Sequence, residues 1–202
     1  MKDTALIALN LTGSLPVIDA DLIGVDKGAL ILAQKGKHMK FAAGDFDSVS
    51  EEELALIKAS SDETVILNPV KDDSDSEHAI KTAIARGYKH LYIVGALGGR
   101  ADHTLVNLRI VYQYPGMITL VDQNNKVFAV TKGDHVLKKE DMSYVSFFTL
   151  EDAVITLEGL YYGLTDRRLT PLDLYTVSNE WTGNEAVLHV QEGTVLVIES
   201  RD

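Results

Sequence analysis

Residues 64–94, TVILNPVKDDSDSEHAIKTAIARGYKHLYIV, decide the fold, because they read as a strand, a helix and a second strand. The apolar runs at residues 64–67 and 91–94 have the length of buried strands. Between them, Ser74 and Glu77 form the S-x-x-E pattern of a helix start. Two strands joined through a helix lie parallel in a sheet. The stretch therefore predicts a β-α-β unit.

The same alternation extends over the first part of the chain and then stops. Further strands are predicted at residues 5–9, 22–25, 40–43 and 118–121, and helices near residues 27–34, 51–58 and 102–112. Beyond them only short strands are predicted, at residues 126–131, 143–149, 153–157, 185–190 and 194–199, with turns at Gly133-Asp134 and Glu192-Gly193. We predict an α/β fold with a mainly parallel α/β/α sheet domain at residues 1–122, followed by a small all-β, sandwich-like domain at residues 123–202.

Composition excludes several classes of protein. Of 202 residues, 46% are hydrophobic and 24% charged, as in globular proteins. No apolar run approaches the roughly 20 residues of a membrane span, and no signal peptide is recognisable. The absence of cysteine excludes disulfides and thiolate catalysis, and fits a cytoplasmic protein. The net charge of −11 makes nucleic acid an unexpected partner, so a phosphate ligand would need metal ions or a few well-placed cations.

Paired carboxylates follow the predicted strand at residues 40–43. Asp45 and Asp47, in the sequence Gly-Asp-Phe-Asp-Ser at residues 44–48, are two residues apart. At that spacing, side chains at the end of a strand point the same way and can converge on one ion. Ser50 with Glu53 already supplies a cap for the next helix, so the pair is not needed there.

A second acidic group follows the strand at residues 64–67. Asp72 lies in the loop, and Asp75 lies at the first helical position, where the helix dipole alone also favours a carboxylate. Ligands of open α/β sheets bind at the carboxyl ends of the strands. Asp45, Asp47, Asp72 and Asp75 therefore predict an all-oxygen site suited to Mg²⁺.

A glycine-rich turn follows the strand at residues 91–94. It contains Gly98, Gly99 and Arg100, with Asp102 and His103 at the start of the next helix. Glycines allow a ligand close to the backbone, a helix start offers N–H groups to an anion, and arginine suits phosphate oxygens. Neither G-x-G-x-x-G nor a Walker A sequence is present.

Taken in order, these motifs resemble the thiamine pyrophosphokinase family. The resemblance rests on residues 44–48, 71–75 and 98–103 with Asn107, and on Ser-Asn-Glu at residues 178–180, and it covers nearly the whole chain. Members of that family are homodimers with active sites between subunits. They transfer a pyrophosphoryl group from ATP to the hydroxyl of thiamine, with Mg²⁺, giving AMP and thiamine diphosphate.

The resemblance also implies a role for each residue. The catalytic residues would be Asp45, Asp47, Asp72, Asp75 and Arg100, the four carboxylates holding Mg²⁺. The ATP-binding residues would be Asp26, Lys71, Gly98, Gly99, Arg100, Asp102 and His103. Ser178 and Asn179 would contact thiamine, with Trp181 nearby. Either Asp72 or Asp102 would orient or deprotonate the thiamine hydroxyl.

The sequence departs from the family pattern at two positions and leaves two alternatives open. Lys27 replaces the first glycine of an Asp-Gly-Gly motif, and Ser74 stands where threonine is usual. One alternative is a Mg²⁺-dependent phosphatase with Asp45 as nucleophile and Asp47 as general acid. The other is a non-catalytic protein that binds nucleotide or thiamine, which the Lys27 departure suggests.

Overall fold

The computed structural model describes residues 2–68 and 74–202. By contacts the chain divides into two compact units, unit 1 ending at Asn107 and unit 2 beginning at Leu108. The predicted functional boundary after residue 122 therefore does not coincide with the contact boundary, which falls within a helix. Within the described residues, no helix has the length and hydropathy that a membrane span needs.

Unit 1 contains a parallel sheet with the strand order β5-β1-β2-β3-β4. Its strands are β1 (Thr4–Ala8), β2 (Asp21–Val25), β3 (Phe41–Gly44), β4 (Thr64–Ile66) and β5 (His90–Val94). Its helices are α1 (Lys27–Gln34), α2 (Glu51–Ala59), α3 (Asp75–Ala85) and the start of α4 (Ala101–Gln113). The parallel α/β architecture expected from the sequence is confirmed. A β4-α3-β5 path, as the opening stretch predicted, carries the chain across the sheet.

Serine caps begin two of these helices. At α2 the box is complete, because the Glu53 N–H donates to Ser50 Oγ at 3.2 Å and the Ser50 N–H donates to Glu53 Oε2 at 2.8 Å. At α3 only the first half forms: Ser74 Oγ accepts from the Glu77 N–H at 3.2 Å. The Glu77 carboxylate instead pairs with Lys81 Nζ at 3.0 Å. The two caps fix where the loops after β3 and β4 end.

Unit 2 is an antiparallel sheet whose centre is one long strand. After the end of α4 come β6 (Ile118–Val121), β7 (Asn125–Lys138), β8 (Tyr144–Phe148), β9 (Ala153–Glu158), β10 (Leu164–Leu169), β11 (Asn179–Glu180) and β12 (Glu185–Ser200). β7 pairs along one edge of β12, while β9 and β8 share its other edge, β9 near the start and β8 near the end. Alternate residues of these strands build one apolar core. The expected all-β region is confirmed.

Two predicted turns proved to be irregularities inside strands. The residues expected as two strands at 185–190 and 194–199 form the single strand β12, and the register with β7 shifts between Val190 and Thr194. Gly193, with φ of 83°, lies in that bulge. Gly133 likewise pairs with Val190 inside β7. Glycine in a strand marks a bulge as readily as a turn, so the predicted breaks were wrong.

Candidate active site

Unit 1 has a cavity of about 520 Å³ where the sheet strands end and the helices begin. Its lining residues are Leu9, Asn10, Leu11, Val25, Asp26, Ser74, Asp75, Ser76, Gly95, Ala96, Gly98, Gly99, Arg100, His103 and Asn107. Most of them lie at or just after the ends of β1, β2 and β5 or at the starts of α3 and α4, and Asn107 lies further along α4. This is the edge of a parallel sheet at which ligands bind, and the volume suits a nucleotide-sized molecule.

The polar side of this cavity is formed where helices begin. Asp26 immediately precedes α1, Asp75 and Ser76 lie in the first turn of α3, and Arg100 immediately precedes α4. Each start presents backbone N–H groups that no helical carbonyl engages. Such groups, together with the helix dipole, favour bound anions such as phosphate. Leu9, Leu11 and Val25 add an apolar portion to the lining.

Asp26 has an unusual backbone conformation at the end of β2. Its φ of 48° and ψ of −121° lie outside the regions that residues with a side chain prefer. The Asp26 N–H donates to the carbonyl of Ala43 at 3.0 Å, which ties this turn to β3. Strain of this kind is typical of functional sites. The structure thus places Asp26, a predicted ATP-binding residue, in the cavity lining.

The first residue of helix α1 departs from the family motif without altering the packing beneath it. Lys27 is exposed and does not line the cavity as the structure describes it. A Cβ on Gly28 would lie 2.1 Å from the carbonyl oxygen of Ala8, so the close packing of α1 on β1 requires glycine there. The Asp-Lys-Gly sequence at residues 26–28 therefore keeps the glycine of the family motif at Gly28, where the backbone of α1 packs closest to the backbone of β1.

Asp45 and Asp47 lie together at the end of β3. Asp45 Oδ1 accepts a hydrogen bond from the Asp47 N–H at 3.2 Å, and the Asp47 side chain is exposed. Phe46 between them has φ of 53° and is buried at 6% exposure, so it anchors the turn in the core. Neither carboxylate is in the cavity lining given above. The structure joins the two residues through this backbone hydrogen bond, outside the part of the cavity that is described, and the convergence of their carboxylates on one ion stays a prediction.

The second acidic group is only partly described. Asp75 lines the cavity at the start of α3, beside Ser74 and Ser76. Lys71 and Asp72 lie outside the described residues. Among residues 2–68 and 74–202, no three Asp, Glu or His side chains form a group that could hold a metal ion. The four-carboxylate site therefore stays a prediction.

Arg100 and Asp102 form a two-point ion pair at the start of α4. Arg100 Nε donates to Asp102 Oδ1 at 3.1 Å and Nη2 donates to Oδ2 at 2.5 Å. The Asp102 carboxylate also accepts from the His103 N–H at 2.9 Å. The Arg100 guanidinium, together with this N–H, lowers the pKa of Asp102 to about 2. Asp102 is consequently ionised and a weak base near neutral pH.

The predicted thiamine-binding residues lie in unit 2. Asn179 is 4% exposed, and its carboxamide binds both backbone groups of Tyr162, at 2.9 Å to the N–H and 2.8 Å to the carbonyl. Ser178 has φ of 55° and donates its N–H to Ser146 Oγ. Trp181 packs against the unit 2 core, and its buried Nε1 finds no acceptor among the described residues. Asn179 therefore holds the local backbone, while Trp181 retains an unused donor.

Several lining residues were not predicted. Asn10 and Leu11 follow β1, and the rule used for the other strand ends would have found them. Ser76 follows Asp75, which was predicted, and Asn107 belongs to the quoted motif but had no assigned role. Its position on α4, one helical turn beyond His103, was the available signal.

Comparisons with known proteins identify relatives over nearly the whole chain. Residues 19–128 match the family model for the thiamin pyrophosphokinase catalytic domain, and residues 134–195 match the model for its vitamin B1 binding domain. A thiamine pyrophosphokinase of Bacillus subtilis is 30% identical over 89% of this chain and 87% of its own length.

Solved structures of proteins from the same family are also similar to this chain. The crystal structure of thiamine pyrophosphokinase from Bacillus subtilis matches with a TM-score of 0.88 and 29% identity, covering 98% of this chain and 99% of that one. A thiamin pyrophosphokinase family protein from Enterococcus faecalis matches with a TM-score of 0.86 and 28% identity, over 98% of both chains. The thiamin pyrophosphokinase of Candida albicans, at 17% identity and a TM-score of 0.80, covering 98% of this chain and 89% of that one, shares the fold.

Proposed function

The chain belongs to the thiamin pyrophosphokinase family, and we propose on that premise which of its residues carry the reaction. The enzyme is an ATP-dependent diphosphotransferase that makes thiamine diphosphate from thiamine. The observation that best supports the proposal is the unit 1 cavity, where the starts of α3 and α4 and the Arg100 loop meet. A product assay with ATP and thiamine tests it.

The cavity is the proposed ATP site. The triphosphate lies against the helix starts, near Arg100, Gly98 and Gly99, since N–H groups and the guanidinium are the donors that phosphate oxygens need. Asp26, Lys71, Asp102 and His103 complete the proposed site. Local neutralisation matters because the whole chain carries a net charge of −11. An apolar portion with Leu9 and Leu11 is available to the base.

The family generally uses a divalent metal, and we assign Mg²⁺ to Asp45, Asp47, Asp72 and Asp75. The donor set fits, since all four side chains offer carboxylate oxygens, the ligands that Mg²⁺ prefers. Asp45 and Asp47 are paired in one turn, and Asp75 is in the cavity lining. When bound, the ion neutralises charge on the phosphate oxygens.

In the proposed reaction the thiamine hydroxyl oxygen attacks the β-phosphorus of ATP. The bond from that phosphorus to the oxygen bridging the α- and β-phosphates breaks, AMP leaves with the bond's electron pair, and the hydroxyl proton passes to a base. Arg100 stabilises the charge that develops on the phosphoryl oxygens. Asp102 is a poor candidate base, because its pKa is held at about 2. We therefore assign Asp102 to holding Arg100, which leaves Asp72 as the candidate base.

We assign thiamine binding to Ser178, Asn179 and Trp181, so that residues 1–122 carry the nucleotide and metal chemistry and residues 123–202 bind the acceptor. The fixed backbone around Asn179 gives this region a preformed shape. The unused indole N–H of Trp181 is available to a ligand acceptor.

We place the enzyme in the cytoplasm, as expected for a chain without cysteine.

The proposed enzyme is a homodimer with its sites at the subunit interface. Six large apolar side chains of residues 161–177 are exposed in the single chain: Tyr161, Tyr162, Leu172, Leu174, Tyr175 and Val177. A concentration of exposed apolar groups marks an interaction surface. Leu174→Asp should therefore elute as a monomer in chromatography with light-scattering detection and should have reduced activity in the product assay. Val17→Asp, at a fully exposed position in unit 1, is the control and should remain dimeric. A dimeric Leu174→Asp variant would contradict this interface.

A further inference from the structure

The loop from Gly95 to Arg100 has little intrinsic reason to keep one conformation. Gly95, Gly98 and Gly99 have φ values of 74°, 85° and 65°, which glycine adopts as one choice among many. Yet this loop forms one side of the cavity and carries Arg100. Its conformation must therefore be imposed by neighbouring groups.

Two side chains of α4 reach back to this loop. Asn107 Nδ2 donates to the carbonyl of Ala96 at 2.8 Å, and Thr104 Oγ1 donates to the carbonyl of Gly98 at 3.1 Å. Residues three apart share a helix face, so both bonds come from the same side of α4. Together they tie the loop, at Ala96 and at Gly98, to the helix that follows it.

The Asn107 bond is the more protected of the two. Asn107 is 9% exposed and Ala96 is 4% exposed, whereas Thr104 is half-buried. A hydrogen bond between buried groups is expensive to lose, because the carbonyl left behind is desolvated without a donor. Asn107 is also in the cavity lining, so the bond lies beside the ligand space.

We propose that Asn107 is a positioning residue of the ATP site. Its amide N–H fixes the Ala96 carbonyl, and the loop thereby holds Arg100 and its own backbone N–H groups toward the triphosphate. Asn107 acts through the loop and takes no part in the chemical step. This inference rests on the assignment of the cavity to ATP.

The deciding variant is Asn107→Asp, which keeps the shape but replaces the donor by a carboxylate. Near pH 8 the KM for ATP should rise about tenfold or more, with a smaller change in kcat and in the KM for thiamine. As the pH is lowered toward about 5.5, the carboxyl should protonate and donate again, because burial raises its pKa. The ratio of its KM to that of the wild type should then fall. Arg100, Asp102 and His103, together with Asp26 and Asp75 from the other elements that line the cavity, are common to both proteins, so a pH dependence found only in the Asn107→Asp ratio belongs to the new carboxyl.

Asn107→Ala serves as the control, since it loses the donor at every pH and its KM ratio should stay constant. A ratio for Asn107→Asp that is near one, or that does not change with pH, would overturn the positioning role. If Asn107→Asp does not fold by circular dichroism, Thr104→Val must raise the KM for ATP in the same direction, and an unchanged KM there also overturns it. Inactivity of the wild type would instead reject the assigned function.

Discussion

A Cβ atom on Gly44 would lie 1.9 Å from Oδ1 of Asp26. The Asp26 carboxylate therefore occupies the space directly over the end of β3, where the Asp45–Asp47 turn begins. Asp26 reaches this position because its own backbone is turned into a rarely used conformation at the end of β2. The absence of a side chain at Gly44 thus lets the Asp26 carboxylate, which comes from the end of β2, lie against the end of β3.

Gly44→Ala should lower ATP-dependent activity by about tenfold or more and should also lower the melting temperature. The new methyl group would lie 1.9 Å from the Asp26 carboxylate and 3.1 Å from the Asp26 backbone nitrogen, at a φ of 159° that residues with a side chain rarely adopt, so the end of β3 is strained and Asp26 leaves its place in the site. Steady-state kinetics and a thermal melt measure the two effects. Gly183→Ala is the control, since no atom lies within 4 Å of a Cβ there. Normal activity of Gly44→Ala would show that the placement of Asp26 is unimportant.

Arg100→Lys should raise the KM for ATP by roughly tenfold, because lysine cannot make the two-point contact of the guanidinium.

Asp102→Asn should weaken ATP binding less and should leave the acid side of the pH–activity profile unmoved. The pKa of Asp102 is lowered from 3.8 to about 2, so the folded-state contribution of its charge is complete above 3.8 and is lost only as the pH falls through about 2. A shift of the profile near pH 6 in Asp102→Asn would identify Asp102 as the base after all.

Asp47→Asn should abolish turnover, since the Asp47 carboxylate is one of the assigned Mg²⁺ ligands. The fold should stay intact, because the Asp47 side chain is exposed. Any residual activity should need a higher Mg²⁺ concentration than the wild type. Glu51→Gln, which removes an exposed carboxylate in the first turn of α2, should behave as the wild type. Near-normal turnover at ordinary Mg²⁺ in Asp47→Asn would remove the metal-site assignment.

Lys126→Met should destabilise the protein by about 1–3 kcal/mol near neutral pH, since it leaves a buried carboxylate without its cation. Lys126 Nζ lies 3.2 Å from Glu199 Oε2, and the Glu199 side chain is 2% exposed. Burial raises the pKa of Glu199 above its usual 4.5, and Lys126 partly offsets that rise. When the pKa of a carboxyl is higher in the folded than in the unfolded state, the free energy of unfolding of the protein falls as the pH rises toward the folded-state value. The deficit of Lys126→Met should therefore shrink as the pH falls toward 4.5.

Urea denaturation across that pH range measures the effect. Glu140→Gln removes the exposed partner of Lys126 and should change the free energy of unfolding by less than about 1 kcal/mol. The double variant Lys126→Met with Glu199→Gln should recover much of the loss. A deficit that does not depend on pH would mean that lost side-chain packing, and not the charge of Glu199, explains the effect.

Much of the fold could be predicted because local signals agreed with the tertiary structure. The Ser50 and Ser74 caps, and the apolar runs of the parallel strands, lie where the sequence placed them. The turn predicted at Glu192-Gly193 was wrong, because a glycine fits a bulge as well as a turn. Only the pairing of β12 with β7 distinguishes the two.

Asp26, Asp75 and Arg100 were predicted as site residues, the first from the family motif and the other two also from their place at helix starts, and all three line the cavity. Asn10 and Leu11 also follow a parallel strand, but they were missed because only strand ends with charged or glycine-rich sequences were selected. The loop contact of Asn107 depends on how α4 packs beside Ala96, which no local pattern encodes.

The most direct measurement uses ATP labelled in the β-phosphate, incubated with the purified protein, Mg²⁺ and thiamine, with thiamine omitted as the control. AMP and thiamine diphosphate should form in equal amounts, the label should appear in thiamine diphosphate, and neither product should form without thiamine. Release of phosphate without thiamine, or tight binding of both ligands with no AMP formed, would contradict pyrophosphate transfer by this chain.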